Sequence, residues 1–312
     1  MKVLVTCPPM LGMMPELRDR LAGDGIELTC PSVTQTLTVP ELLALVPAHD
    51  GWIIGDDPAN REVFAAGRAG RLRAAVKWGV GVDNVDFQAC KDLDIRIANT
   101  PGMFGSEVAD IALGYVIALA RETFGIDRGV RAGGWPKPRG ISLAGKRAAL
   151  VGFGDIGRHV APRLRACGLS VAVYDPAAPA MHDADMVSRT WPKGLADCDF
   201  IVVTCALTTS SRHMLGRQAL TQAKPGVRVV NVSRGPIIDE TALIEALESG
   251  HVHSAALDVF ETEPLPMSSP LRSHPRCVFG SHNASNTSDA VLRTSLLAWD
   301  ILRTFLGERS DA

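Results

Sequence analysis

A chain of 312 residues is long for one domain and comfortable for two, and with 46% hydrophobic residues each half can bury a core. A formal net charge of −2, with no long run of like charges, excludes a general electrostatic affinity for nucleic acid or acidic membranes. Seven cysteines, an odd set without a CxxC pair, argue against a disulfide framework and against a zinc site, so no metal is expected.

The first strand-like run, Val3–Val5, leaves no room before it for a signal peptide. The longest apolar stretch, Ile111–Ala120, is too short to cross a bilayer, so a reducing cytoplasm is the expected setting. Lys2–Thr6 reads as a strand, Pro15–Ala22 as a helix, Ile26–Leu28 as a short strand and Val39–Val46 as a helix. Gly51–Gly55, Ala75–Trp78 and Ile95–Ala98 are further buried strands. The alternation implies βαβ units on a parallel sheet.

A long helix follows, with Val108, Ile111, Ala112, Tyr115, Val116 and Leu119 on one broad stripe and Ser106 expected to cap its start. Gly133–Pro138 breaks regular structure. A second β/α series then runs through Arg147–Val151, Val171–Tyr174, Phe200–Thr204, Val227–Asn231, Ser254–Asp258 and Cys277–Gly280, and a helix over Ser288–Leu306 closes the chain. There is no internal repeat. Two similar α/β halves with an active cleft between them are the natural expectation.

The strand Arg147–Val151 runs directly into Gly152-Phe153-Gly154-Asp155-Ile156-Gly157. In such a turn Gly152 permits the tight bend, Gly154 lets backbone approach a pyrophosphate, and Gly157 lets the helix lie close to its strand. The next strand ends at Asp175, 18 residues beyond Gly157 (175 − 157). An acidic residue there accepts hydrogen bonds from the adenosine ribose and repels a 2′-phosphate, which favours NAD over NADP. The plainer alternative is that Asp175 only begins a turn before Pro176. Pro162, inside the helix that Gly157 opens, should bend it.

Hydride transfer at an alcohol beside a carboxylate needs a cation for that carboxylate, an acid/base, and a group that tunes the acid/base. Arg234, Glu263 and His282 each follow a strand-like run and supply one of these. A guanidinium fork suits a carboxylate, and a histidine held against a glutamate exchanges a proton near neutral pH. Each has competitors: Arg234 as a surface ion-pair partner, Glu261 in place of Glu263, and His251, His253 or His274 in place of His282.

Gly79-Val80-Gly81-Val82-Asp83-Asn84-Val85-Asp86, Asn99-Thr100-Pro101-Gly102, the Gly152–Gly157 turn, Asn231–Asp239, Asp258–Pro264 and Ser281–Ser285 occur in the order of one family. The chain resembles the D-isomer-specific 2-hydroxyacid dehydrogenases, in particular their phosphoglycerate-dehydrogenase-like branch. The resemblance implies two parallel-sheet domains, Rossmann-like and flavodoxin-like, with the active site in the cleft between them. A substrate domain would comprise 1–98 plus 284–312 and an NAD-binding domain 99–283. It implies that Arg234 binds and polarises a small anionic 2-keto or 2-hydroxy acid, that His282 is the acid/base, and that Glu263 pairs with it. Backbone at Gly79, Val80 and Gly81, beside Trp78, would hold the substrate carboxylate. NAD contacts would come from Val80, Gly152, Gly154, Asp155, Ile156, Gly157, Asp175, Cys205, Val232, Asp258 and His282 to Ser285. A homodimer built around the helix beginning near Ser106 is also implied.

Departures from the family pattern stand at Phe104, Asp110 and Ala206. The loop reading Gly55-Asp56-Asp57-Pro58 places two aspartates where phosphoglycerate enzymes carry basic and hydroxyl residues, and like charge would repel a phosphate. Nor does the chain extend into the C-terminal regulatory domain of some serine-pathway members. 3-Phosphoglycerate is therefore not expected as substrate. Met10, Met13, Met14 and Trp78 are candidates for an adaptable apolar pocket. Glutamate at 263, where formate dehydrogenases carry glutamine, argues against formate. A phosphonate-type substrate and an NAD-sensing, corepressor-like role remain as alternatives.

Overall fold

Runs such as Trp52-Ile53-Ile54 and Ala74-Ala75-Val76, apolar at every position, suit strands that are covered on both faces. A computed structural model of the chain describes residues 1–21, 25–183 and 185–307. It divides into two units, Met1–Met103 with Asn286–Ala312, and Phe104–Ser285. Ala22, the expected end of a helix, and residues 308–312 lie outside the described residues.

The first unit contains β1 (Lys2–Val5), α1 (Pro8–Gly12), α2 (Met14–Leu21), β2 (Glu27–Thr29), α3 (Val39–Leu45), β3 (Gly51–Ile54), α4 (Arg61–Ala69), β4 (Ala74–Lys77), α5 (Phe87–Asp92) and β5 (Arg96–Asn99). The strands form one parallel sheet in the order β2-β1-β3-β4-β5. Three helix starts are specified by side chains. Thr38 and Glu41 make a capping box on α3, Asn60 accepts from the Val63 amide, and Asp86 from that of Ala89. Helix α1 is too short to carry a periodic signal and has no counterpart among the elements read from the sequence. The closing helix (Ser288–Gly307) packs in this unit: Leu302 is fully buried, and Arg96 Nη1 donates to Phe305 O at 2.8 Å.

The loop after β3 differs from its expected electrostatics. Asp57 is completely buried and accepts from the Thr6 hydroxyl, the Leu37 amide (2.8 Å) and the Gly55 amide (3.2 Å). Burial pushes its carboxyl above the usual range, although those donors and the charge of Lys77 pull it back. Asp56 pairs at 2.8 Å with Lys77, itself buried. The two aspartates therefore do not form a bare negative patch: Lys77 balances the charge of Asp56, and Asp57 is sealed from solvent. Met10 and Met14 are core residues, 0% and 5% exposed, which makes them packing rather than pocket wall.

The second unit contains α6 (Gly105–Arg121), α7 (Thr123–Arg131), β6 (Arg147–Val151), α8 (Asp155–Ala166), β7 (Ser170–Tyr174), β8 (His182–Asp183), β9 (Met186–Ser188), β10 (Phe200–Val203), α9 (Arg217–Gln222), β11 (Val227–Asn231), α10 (Glu240–Glu248), β12 (Val252–Leu257) and β13 (Cys277–Phe279). Its sheet order is β13-β12-β11-β10-β6-β7-β9-β8, parallel except where β8 pairs with β9. The order reverses between β6 and β10, and in open α/β sheets ligands bind outside the carboxyl ends of the strands at that point.

Ser106 does not cap α6. The helix already begins at Gly105, and the Ser106 hydroxyl instead accepts from Arg163 Nη2 at 2.9 Å. Val108, Ala112, Val116 and Leu119 of the expected stripe are buried, whereas Ile111 is exposed. Helix α8 continues through Pro162 to Ala166. No helix among the described residues is long and apolar enough to cross a membrane.

Leu302→Ala removes a fully buried side chain from the closing helix. It should destabilise the protein by about 2–5 kcal/mol in denaturant unfolding, whereas Asp300→Ala on the exposed side of the same helix should change little.

Candidate active site

The glycine turn after β6 is built as close approaches require. Gly152 has φ +99°, and a Cβ on it would lie 2.5 Å from Cys205 Cα. A Cβ on Gly157 would overlap the Gly152 carbonyl, which Thr204 Oγ1 holds at 2.9 Å. At Gly154 a Cβ would meet nothing within 4 Å. Open space therefore lies over the middle glycine at the start of α8, whose first residues are Asp155 and Ile156, and a dinucleotide pyrophosphate fits such a turn.

Asp175, at the end of β7, reaches back to this turn. Its Oδ2 accepts from the Phe153 amide at 2.6 Å and its Oδ1 from the Ala177 amide at 2.8 Å. The local-turn reading of Asp175 is thus real. It does not compete with ribose binding, because each carboxylate oxygen has a second lone pair. Cys205 follows β10, and burial pushes its thiol up to about 11, so it stays protonated. Val232 follows β11 and is 5% exposed.

Adjacent parallel strands β11, β12 and β13 each end in a loop carrying one of the expected chemical groups. After β11, Asn231 clamps its loop: its Nδ2 donates to Arg234 O at 2.9 Å and its Oδ1 accepts from the Ser233 amide at 3.1 Å. The Ser233 hydroxyl donates to Cys205 O at 2.7 Å, and Arg234 Nη1 to Ser233 O at 3.0 Å. The Arg234 guanidinium thus leaves from a braced backbone. A Cβ on Gly235 would overlap Phe260, so this loop lies directly against the one after β12.

Glu263 and His282 meet. His282 Nδ1 lies 2.8 Å from Glu263 Oε2, with each side chain 21% exposed. The other Glu263 oxygen accepts from the Phe260 amide at 3.0 Å. His282 has φ +56°, a left-handed conformation uncommon for a residue with a side chain, and its amide donates to Asp258 O at 2.7 Å. Asp258 is 2% exposed, and its carboxylate accepts from the amides of Asn283 (3.2 Å) and Ala284 (2.9 Å), immediately before Ser285. Burial pushes the Asp258 carboxyl up, against the pull of those amides and of His282. Asp258 thereby anchors the backbone that presents His282.

The competitors are engaged elsewhere. Glu261 lies 2.7 Å from His213 Nε2, His251 faces Leu220 O, and His253 sits against Ser254. Burial and then the charges of Arg228 and Arg276 depress His253 to about 4. His274 lies against the Cys277 thiol.

In the first unit, the loop after β4 is pinned by Thr100, a residue of the family motif to which sequence reasoning assigns no role. Thr100 Oγ1 accepts from the Gly79 amide at 2.8 Å, and its own amide donates to Gly79 O at 3.2 Å. Val80 O accepts from Asn99 Nδ2, and Val80 is 36% exposed, followed by a half-buried Gly81. Trp78 is 6% exposed with its indole N–H donated to Ser295 at 3.1 Å, so most of it belongs to the core. Sequence reasoning likewise assigns no role to Asn231, although it opens a quoted motif, or to Thr204; the contacts of both run to backbone.

Residues 113–284 match the model of the NAD binding domain of D-isomer specific 2-hydroxyacid dehydrogenases. A hydroxypyruvate reductase of Thermotoga maritima is 34% identical over 274 residues, 84% of this chain and 87% of that protein. A D-3-phosphoglycerate dehydrogenase of Archaeoglobus fulgidus is 33% identical over 98% of this chain, which spans 58% of that protein. The chain thus covers little more than half the length of that larger relative. Among solved structures, the TT0316 protein of Thermus thermophilus is similar with a TM-score of 0.86 and 30% identity, covering 99% of this chain and 98% of that one.

The glycine geometry separates folding from binding. Gly154→Ala should leave the melting temperature unchanged while weakening NADH binding, read by nicotinamide fluorescence. Gly157→Ala should lower both, because its methyl must displace backbone.

Proposed function

Because this chain belongs to the D-isomer specific 2-hydroxyacid dehydrogenase family of NAD-dependent oxidoreductases, we propose that it transfers a hydride between NAD and C2 of a small D-2-hydroxy acid or its 2-keto counterpart. The observation that carries this reading is the 2.8 Å contact between His282 and Glu263, on loops adjoining the one that presents Arg234. When bound, the nicotinamide supplies or accepts the hydride. In the reductive direction His282 donates a proton from Nε2 to the carbonyl oxygen, and in oxidation it removes the hydroxyl proton. Glu263 fixes the tautomer at Nδ1 and stabilises the imidazolium between those events. Arg234 pairs with the substrate carboxylate and polarises the carbonyl. The resemblance gives the backbone amides of Val80 and Gly81 to the substrate carboxylate, and within the first unit Gly79 beside them is held by Thr100.

Gly152, Gly154, Asp155, Ile156 and Gly157 would hold the cofactor phosphates. Asp175 would hold the adenosine ribose, which favours NAD over NADP, and Cys205, Val232, Asp258 and Ser285 would line the remainder. The acid is small and unphosphorylated in this reading, since the buried cation beside the Gly55–Pro58 loop, Lys77, is already paired with Asp56. Free thiols throughout suit a cytoplasmic setting.

The test is NADH oxidation at 340 nm across glyoxylate, hydroxypyruvate, phosphohydroxypyruvate, phosphonopyruvate and bulky branched 2-keto acids. The unphosphorylated small acids should turn over fastest. Arg234→Ala and His282→Ala should each lower kcat/KM by about 10²–10⁴-fold. Tight NADH binding without turnover of any acid would contradict an enzymatic role and favour an NAD sensor.

A homodimer belongs to the same reading, supported by the exposed apolar side chains Ile111, Ile117, Phe124 and Val130 of α6 and α7 and by Trp135, 77% exposed. Light scattering should give twice the chain mass for the wild type, and Ile117→Glu with Phe124→Glu should shift it towards one chain.

A further inference from the structure

A second carboxylate–imidazole contact lies beside the first. His213 Nε2 is 2.7 Å from Glu261 Oε1, two residues from Glu263 in sequence. Glu261 and Glu240 also exchange bonds: the Glu261 amide donates to Glu240 Oε1 at 2.6 Å, and the Glu240 amide to Glu261 Oε1 at 3.4 Å. Glu240 is the first residue of α10, directly after the loop that carries Arg234, and Asp239 caps that helix. The His213 loop is stitched to the Arg234 loop by backbone, His213 N to Pro236 O at 2.8 Å and Leu215 N to Ile237 O at 3.2 Å. His213 itself has φ +52°, so its backbone is held in a conformation that a side chain disfavours.

Resting on the proposed roles of Arg234, Glu263 and His282, we infer that His213, Glu240 and Glu261 are positioning residues, a brace that fixes the Glu263 loop against the Arg234 loop. The two loops touch where Gly235 meets Phe260, and the Phe260 amide holds one oxygen of Glu263. Glu261, the next residue, is tied by its amide to Glu240 and by its side chain to His213. Only Thr262 then separates the brace from Glu263 along the chain. Freed from Glu240, the segment would shift, and Glu263 would slacken from His282. Sub-ångström placement matters here, because a misplacement of about 1 Å can cost about 10²-fold in rate.

Electrostatics give a way to separate placement from charge. Titratable groups coupled to the Glu263–His282 pair include Asp258, which couples to His282 and to Glu263, and Glu240, which couples to Glu261 and Glu263. Tyr115 faces Asp258 in turn. Burial, together with its neighbouring carboxylates, raises the Glu240 carboxyl, opposed by the Glu261 amide. Glu240→Gln removes the carboxylate charge but keeps an oxygen acceptor for the Glu261 amide. Glu240→Ala removes both.

The experiment measures the full-length variants Glu240→Ala, Glu240→Gln and His213→Ala in two ways. One is kcat and KM with NADH and hydroxypyruvate. The other is the titration of His282 followed by histidine ring NMR in the protein without substrate, assigned with His282→Ala. Glu240→Ala should lower kcat about tenfold with NADH affinity unchanged, and should lower the His282 pKa, since its imidazolium loses a well-placed carboxylate. Glu240→Gln should restore kcat and the titration to near wild type, and His213→Ala should fall between the two. A glutamine variant that behaves like alanine would overturn the brace and leave only a field effect. An alanine variant with wild-type kcat and an unmoved His282 titration would also overturn it. The NMR readout needs no turnover, so it can fail while the dehydrogenase reading stands, and the reverse.

Discussion

The hydrogen bond between Glu263 and His282 is the constraint around which the candidate site is organised. An imidazole alone on a loop would rotate freely. Pressed against a carboxylate with both side chains largely withdrawn from solvent, it has one tautomer and one orientation. Neither residue holds that geometry by itself. Glu263 is steadied by the Phe260 amide, while Asp258 grips the backbone on both sides of His282 through its carbonyl and its carboxylate.

Parallel β topology makes this assembly possible from residues far apart in sequence. Strands β11, β12 and β13 are neighbours that all run the same way, so the loops leaving their carboxyl ends share one edge. Arg234, Glu263 and His282 are each a few residues past such an end. The glycine turn leaves β6 at the same edge, with β10 between it and β11. Arg234, Glu263, His282 and the glycine turn thus share one rim because of strand order, not because of proximity along the chain.

Much of this is legible in the residues. The glycine spacing, the acidic residue after β7 and the three chemical side chains all follow apolar runs, and short continuous runs of this kind read as strands buried on both faces. What escapes has physical reasons. Ser106 reads as a cap because its hydroxyl type favours caps, but Arg163, 57 residues away, claims that hydroxyl and the helix starts one residue earlier. Asp56 and Asp57 look like a repulsive pair because sequence does not reveal that Lys77 lies buried against one and that the other is sealed by Thr6 and two amides. The short β8 and β9 are too brief for any period to register. Asn231 and Thr100 stand in recognised motifs, but what they hold is backbone, which no residue spacing encodes.

The central claim is that His282 exchanges the proton under the control of Glu263. Its most direct measure is the pH dependence of kcat/KM for reduction of hydroxypyruvate by NADH, compared between the wild type and Glu263→Gln. Reduction requires the protonated imidazole, so activity falls as pH rises through its pKa. Replacing the carboxylate with a neutral amide destabilises the imidazolium and should move that falling limb to lower pH. A limb at the same pH in both proteins would contradict the account.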